Sequence, residues 1–284
     1  MRKIKKKHKA MYAPMDDLVT YRALPTREVE YIDPFLFLNH HGPQVYKPGN
    51  RGLPFGPHPH RGFETLTFIL DGDIMHQDTG GGKDVIEAGG VQWMTAGSGL
   101  IHAEISSDKF KKEGGPLEIL QLWFNLPAKY KMTAPKYIGL QKDKIPVVTL
   151  DNGKVNVNVV SGSWGEVQAP IQSLSDINMV SIEMKAGGTF VYNIPSERNI
   201  FFYVVRGSVK VNGETADKLT LVEFENQGKE VKVEALEDAY ILFGHALPYN
   251  EPVVSHGPFV MNTEQEIREA FQDYQLGKMG QWVE

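Results

Sequence analysis

Residues 56–64 read GPHPHRGFE, which sets His58 and His60 two residues apart. Further along, GSGLIHAEI (97–105) sets His102 and Glu104 at the same interval. Alternate side chains of a β-strand share one face. Each pair can therefore aim two donors at one point, with Pro59 turned outward. Proline belongs near a strand edge or end, so the His58–His60 segment is predicted as a strand close to its end. Two such pairs on facing strands bring together three imidazoles and one carboxylate. Neutral imidazole suits iron, nickel, copper, manganese and zinc, and the carboxylate adds hardness and negative charge. A first-row ion that prefers six ligands would keep about two positions open for substrate or dioxygen. Either pair alone is a common accident. Both together, inside glycine-rich β segments, favour a metal site over chance. Such a site weakens in acid, because its histidines must be neutral to bind.

The elements that must position these residues read as short strands. TLTFIL (65–70), VQWMT (91–95), LEILQLWFNL (117–126), VNVNVV (155–160), NMVSIEM (178–184), IFFYVV (200–205), VKVNG (209–213), VKVEAL (231–236) and YILFG (240–244) are rich in β-branched and aromatic residues. Glycines and Asp-Gly or Asn-Gly pairs punctuate them, which predicts a sandwich or closed barrel. One helix is expected late in the chain. Thr263 and Glu266 form a capping box, Ile267, Ala270, Phe271 and Tyr274 recur at helical spacing, and Gly277 can end it. The stretch 128–150 is polar and carries prolines, which suits a connection between domains. The run ending at Asp71-Gly72 is weakly echoed by IFFYVVRG (200–207), so two similar β-domains are expected, 1–135 and 136–284.

Composition bounds the rest. The 284 residues carry a net charge of −5, which argues against nucleic-acid binding by the whole surface. No apolar run approaches the ~20 residues of a spanning helix. The chain has no cysteine, so a disulfide, a thiolate nucleophile or a Cys-based zinc site is excluded, and a cytoplasmic location fits. A closed structural zinc site is disfavoured for the same reason. The basic start, MRKIKKKHK, lacks the apolar core of a signal peptide and is expected to be a solvated, frayed terminus.

GPHPHRGFETLTFILDG (56–72) and QWMTAGSGLIHAE (92–104) resemble the signatures of the pirin family within the cupin superfamily. Gly52, His58, His60 and Glu64 look like the first cupin motif, and Gly99 with His102 like the end of the second. EPVVSHGPFVMNTEQEI (251–267) and DYQLGKMG (273–280) extend the resemblance over nearly the whole chain. It implies an all-β protein of two tandem jelly-roll-like cupin barrels packed together, with a C-terminal helix. It also implies one divalent metal, most often iron(II), in the N-terminal barrel. Manganese, nickel, copper or zinc would suit the same set. The family's ligands match His58, His60, His102 and Glu104. Glu64, where other cupins place a carboxylate ligand, is expected to make a supporting hydrogen bond to its strand or to Arg61.

The second half departs from the motif. Asn193, Pro195 and Asn199 stand where His58, His60 and Glu64 stand in the first, so the C-terminal barrel is expected to be metal-free, with His245 and His256 structural or on the surface. His40 and His41 are adjacent, so they cannot both point into one site. Phe55, Phe63, Trp93, Met94, Trp123 and Phe124 are expected mostly in the core, with some left to wall a pocket for a flat ligand. Gln92 and Gln121 are expected to be exposed, or else at the edge of that pocket. The resemblance implies quercetin 2,3-dioxygenase chemistry, in which a flavonol is cleaved with dioxygen and carbon monoxide leaves. Glu104 would be the catalytic residue, taking the flavonol hydroxyl proton. The alternative implied by the same family is a non-enzymatic, iron-dependent redox-sensing regulator that binds a protein partner.

Overall fold

The structure, a computed structural model, describes residues 1–283. The chain forms two compact units. One comprises Tyr12–Tyr21, Phe37–Asp143 and Tyr249–Glu284. The other comprises Met1–Met11, Arg22–Leu36 and Lys144–Pro248. Each unit thus draws most of its residues from one half of the chain and a terminal segment from the other.

In the first unit, Val91–Thr95, Phe63–Asp71 and Gly115–Asn125 lie side by side in a larger antiparallel sheet, with Lys136–Leu140 beside Val91–Thr95. A smaller sheet orders Phe55–His60, Leu100–Ile105, Asp73–Asp78 and Lys83–Glu87. Ile69 and Ile119 from the larger sheet pack with Ile74 and Ile86 from the smaller one, which makes a sandwich. Burying each such side chain is worth about 1.5–3 kcal/mol. Gly72 (φ +86°) turns the chain from Phe63–Asp71 into Asp73–Asp78, in backbone geometry that disfavours a Cβ.

The second unit repeats the plan. Val155, Val157 and Val159 alternate inward from one sheet and meet Val209, Val211, Val231 and Val233 from another. Asn156 and Asn158, on the opposite face, bond across to Thr149 and Ser181.

The basic N-terminus is not frayed. Ile4–Lys9 is a strand paired with Thr220–Phe224. Lys3 and Lys5 pair with Glu225 and Glu223, and His8 is buried between Glu223 and Glu28. Surface pairs contribute little. The backbone ladder and the buried Arg2, whose guanidinium donates to the carbonyls of Pro195, Arg198 and Gly228 and to Asn226, are what fix the segment.

The stretch 128–150 is more than a connection, because it contributes the strands Lys136–Leu140 and Val147–Leu150. The late helix runs Glu264–Gln275, with the Glu266 amide donating to Thr263 Oγ1. Ile267 and Ala270 are buried, whereas Tyr274 faces solvent. A second, short helix, Asp108–Glu113, is capped by Ser107. No described helix is long and apolar enough to cross a membrane.

Candidate metal centre

His58 and His60 end the strand Phe55–His60, and His102 lies on its neighbour Leu100–Ile105. The two strands are antiparallel, with His102 opposite His58 and Leu100 opposite His60. The pairs therefore sit on adjacent strands of one sheet. Ligand nitrogens of His58, His60 and His102 all lie within 4.8 Å of one another. Pro59 does not face solvent. It is buried, opposite Ile101.

Electrostatics favour donor nitrogens. Burial first, then the neighbouring His58, pushes His60 down from 6.5 to about 3. Burial also holds His102 well below the ordinary value, with His60, His58 and His76 adding to the effect. Both rings are thus neutral at pH 7 and keep a lone pair for a cation. His58 Nε2 and His102 Nε2 face each other 3.0 Å apart. Two nitrogens that are each ~2.1 Å from one ion, at a right angle, are separated by about 3 Å. The donor set therefore fits a first-row metal.

What holds each ring differs. His58 Nδ1 lies 2.7 Å from the Gly56 carbonyl, and His60 Nδ1 lies 3.2 Å from the Pro258 carbonyl. A carbonyl can only accept, so Nδ1 of each ring carries a proton and Nε2 is the nitrogen turned towards the cluster. His102 Nδ1 is buried with no such partner among the described residues.

Glu104 is buried beside this cluster without belonging to it. Its carboxylate accepts from Thr67 Oγ1 at 3.0 Å and from Gln121 Nε2 at 2.5 Å. A register shift between His102 and Glu104 places Glu104 opposite Phe55 on one side, while His76 stands opposite it on the other. Sequence reasoning missed His76. It is buried, 5.5 Å from the His102 ring, stacked on Tyr137 at 3.8 Å and bonded to Asp78 at 2.7 Å. The spacing His76-x-Asp78 repeats that of His102-x-Glu104 and was the available signal.

Gln121 is half-buried and links Glu104 to Trp123 Nε1, 3.4 Å away. Trp123 is also half-buried. It stacks on Phe37 and lies against Phe63 and His60, forming an aromatic wall beside the histidines. Phe63, Trp93, Met94 and Phe124 are core residues, as expected, whereas Phe55 is half-buried. Gln92 is buried rather than exposed and donates to the Ile74 carbonyl. Glu64 accepts from Trp93 and Thr95 across the sheet, while Arg61 pairs instead with Asp273. His40 and His41 are both buried and serve different partners, Glu118 and Thr20.

In the other unit, Asn193 and Pro195 are exposed, and Asn199 donates to the Asp33 carbonyl. His245 is buried and accepts from Arg198 Nε, and burial, aided by Arg198, pushes it down to about 3. His256 is exposed.

Residues 17–124 match the family Pirin, and residues 179–280 match the Pirin C-terminal cupin domain. A pirin-like protein of Caulobacter vibrioides is 40% identical over 259 residues, covering 90% of this chain and 91% of that protein. A solved quercetin 2,3-dioxygenase from Acinetobacter baumannii is 34% identical, with both chains fully covered and a TM-score of 0.93. A bacterial pirin from Escherichia coli, solved in complex with nickel(II), shares the fold at 22% identity. Its TM-score is 0.69, over 86% of this chain and 99% of that one. With both of its cupin domains matched and its fold shared throughout, the chain belongs to the pirin family.

Proposed function

We propose that the protein is a metal-dependent dioxygenase of the quercetin 2,3-dioxygenase type, with His58, His60 and His102 as metal ligands. The observation that carries this reading is the convergence of three histidine nitrogens beside a buried carboxylate and an aromatic wall. The likeness to the Acinetobacter enzyme supports it over the full chain. Iron(II) is the proposed metal, and the donor set also admits nickel, manganese, copper or zinc. When bound, the ion supplies Lewis acidity and a passage for electrons between the flavonol and dioxygen.

The chain's own residues do the rest. Trp123, held between Phe37 and Phe63 and edge-on to His60, gives the site an apolar wall against which an aromatic substrate can pack. Glu104 takes the proton of the flavonol 3-hydroxyl, so that one O–H bond breaks as another forms on the carboxylate. Thr67 and Gln121 hold Glu104 in place for that transfer, and the proposal also gives Glu104 the role of a fourth ligand once metal is present. The test is carbon monoxide release from quercetin under air by the iron-loaded protein. Metal-loaded protein that releases none would overturn the enzymatic reading and favour the redox-sensing regulator.

A further inference from the structure

The segment Pro258–Met261 lies far along the chain from the histidine strands, yet it touches one of them directly. Pro258 supplies the carbonyl facing His60 Nδ1. The next residue, Phe259, bridges to Arg61, and the Val260 amide donates to the Arg61 carbonyl at 3.0 Å. The two backbones come very close here. Gly62 (φ +87°) has no room for a Cβ, which would collide with the Val260 carbonyl.

Lys131 joins these backbones. It is 1% exposed, and its ammonium donates to the carbonyls of Gly62 (2.8 Å) and Val260 (2.9 Å) and to Asn125 Oδ1 (2.7 Å). An ammonium has three protons, and all three are used. Burial pushes the Lys131 amine down from 10.5 to about 7, whereas three acceptors around one nitrogen call for its protonated form; so held, it bridges two carbonyls that would otherwise be left unsatisfied in the interior. A second tie comes from Arg61, which donates to the Ser98 carbonyl and pairs with Asp273 of the Glu264–Gln275 helix. A third is apolar, with Ile101 packed against Phe259, Met261, Ile267 and Met279.

Resting on the three-histidine reading of the centre, we propose that Lys131 is a positioning residue for the metal. By clamping Val260 to Gly62 it holds the Pro258 carbonyl on His60 Nδ1, which fixes the tautomer that leaves His60 Nε2 free to ligate. Groups that orient a ligating histidine typically change metal affinity by about 10–100-fold when removed.

The test uses the full chain and nickel(II) as the probe. Lys131→Met keeps the length of the side chain and removes the charge and the three donors. Its affinity for nickel(II), measured by chelator competition, should fall by about tenfold. In the metal-free variant, 15N NMR of the His60 ring should change from a single Nδ1–H tautomer to a mixture, which loss of stability alone does not produce. A folded variant with wild-type affinity and an unchanged His60 spectrum overturns the proposal. Wild-type protein that binds no nickel(II) fails the metal reading instead, so the two failures are distinguishable.

Should the variant not fold, the wild type decides. Linkage is reciprocal, so nickel(II) should slow hydrogen exchange at the Val260 amide severalfold. Unchanged exchange there, with slowed exchange in 58–60 and 100–104, overturns the proposal.

Discussion

Among single residues, the three imidazoles of the cluster and the carboxylate beside them have different supports. Glu104 has its own hydrogen-bonded cradle of Thr67 and Gln121, separate from the histidine cluster. Glu104→Gln keeps the size of the side chain and removes its capacity to take a proton. Carbon monoxide release should fall by about 100-fold or more, while metal content, read by elemental analysis, falls much less. Equal release by the variant and the wild type would remove Glu104 from the chemistry. The shared face of His58 and His60 was legible from period-2 alternation, whereas their meeting with His102, a matter of strand pairing, was legible only through the motifs that resemble the family's. His76 was not, since its approach to His102 depends on which strand lies beside Leu100–Ile105, and pairing is a long-range property. Lys131 and Pro258 left no local trace at all. A lysine in a polar stretch and a proline in a loop look solvated until the backbone that covers them is known.

Strands and helices were readable where pattern and capping chemistry were strong. The Glu264–Gln275 helix and the valine-rich strand Val155–Ser161 are examples. Charge misled at the N-terminus, where five lysines suggested a solvated tail and yet Ile4–Lys9 is a paired strand. Its partners, the acidic residues Glu214, Glu223 and Glu225, lie more than 200 residues away. Arg2 anchors this strand through three carbonyls and Asn226. Arg2→Met leaves those buried acceptors unpaired and should cost about 2 kcal/mol, read as a lower urea midpoint. A midpoint equal to that of the wild type would show that the ladder alone secures the strand.

Across the whole molecule, three buried histidines, His60 and His102 in one unit and His245 in the other, are held neutral, chiefly by burial. Their folded values lie below the 6.5 of the unfolded chain, so the unfolded state binds more protons between about 6.5 and 3. Stability of the metal-free protein should therefore be complete above pH 6.5 and fall as the pH drops towards 3. His60 and His245 each contribute roughly 2 kcal/mol of that loss by about pH 5, and His102 adds to it in the same direction. Urea titrations at several pH values check the sign, and constant stability from pH 7 to 5 would contradict it.

Most direct for the function itself is the gas balance of the iron-loaded protein with quercetin under air. One carbon monoxide released and one dioxygen consumed per quercetin, with neither in metal-free protein or in His58→Ala, is the expected result. Quercetin left intact by fully iron-loaded protein, with no carbon monoxide evolved, would contradict the assignment of this histidine centre to oxidative ring cleavage.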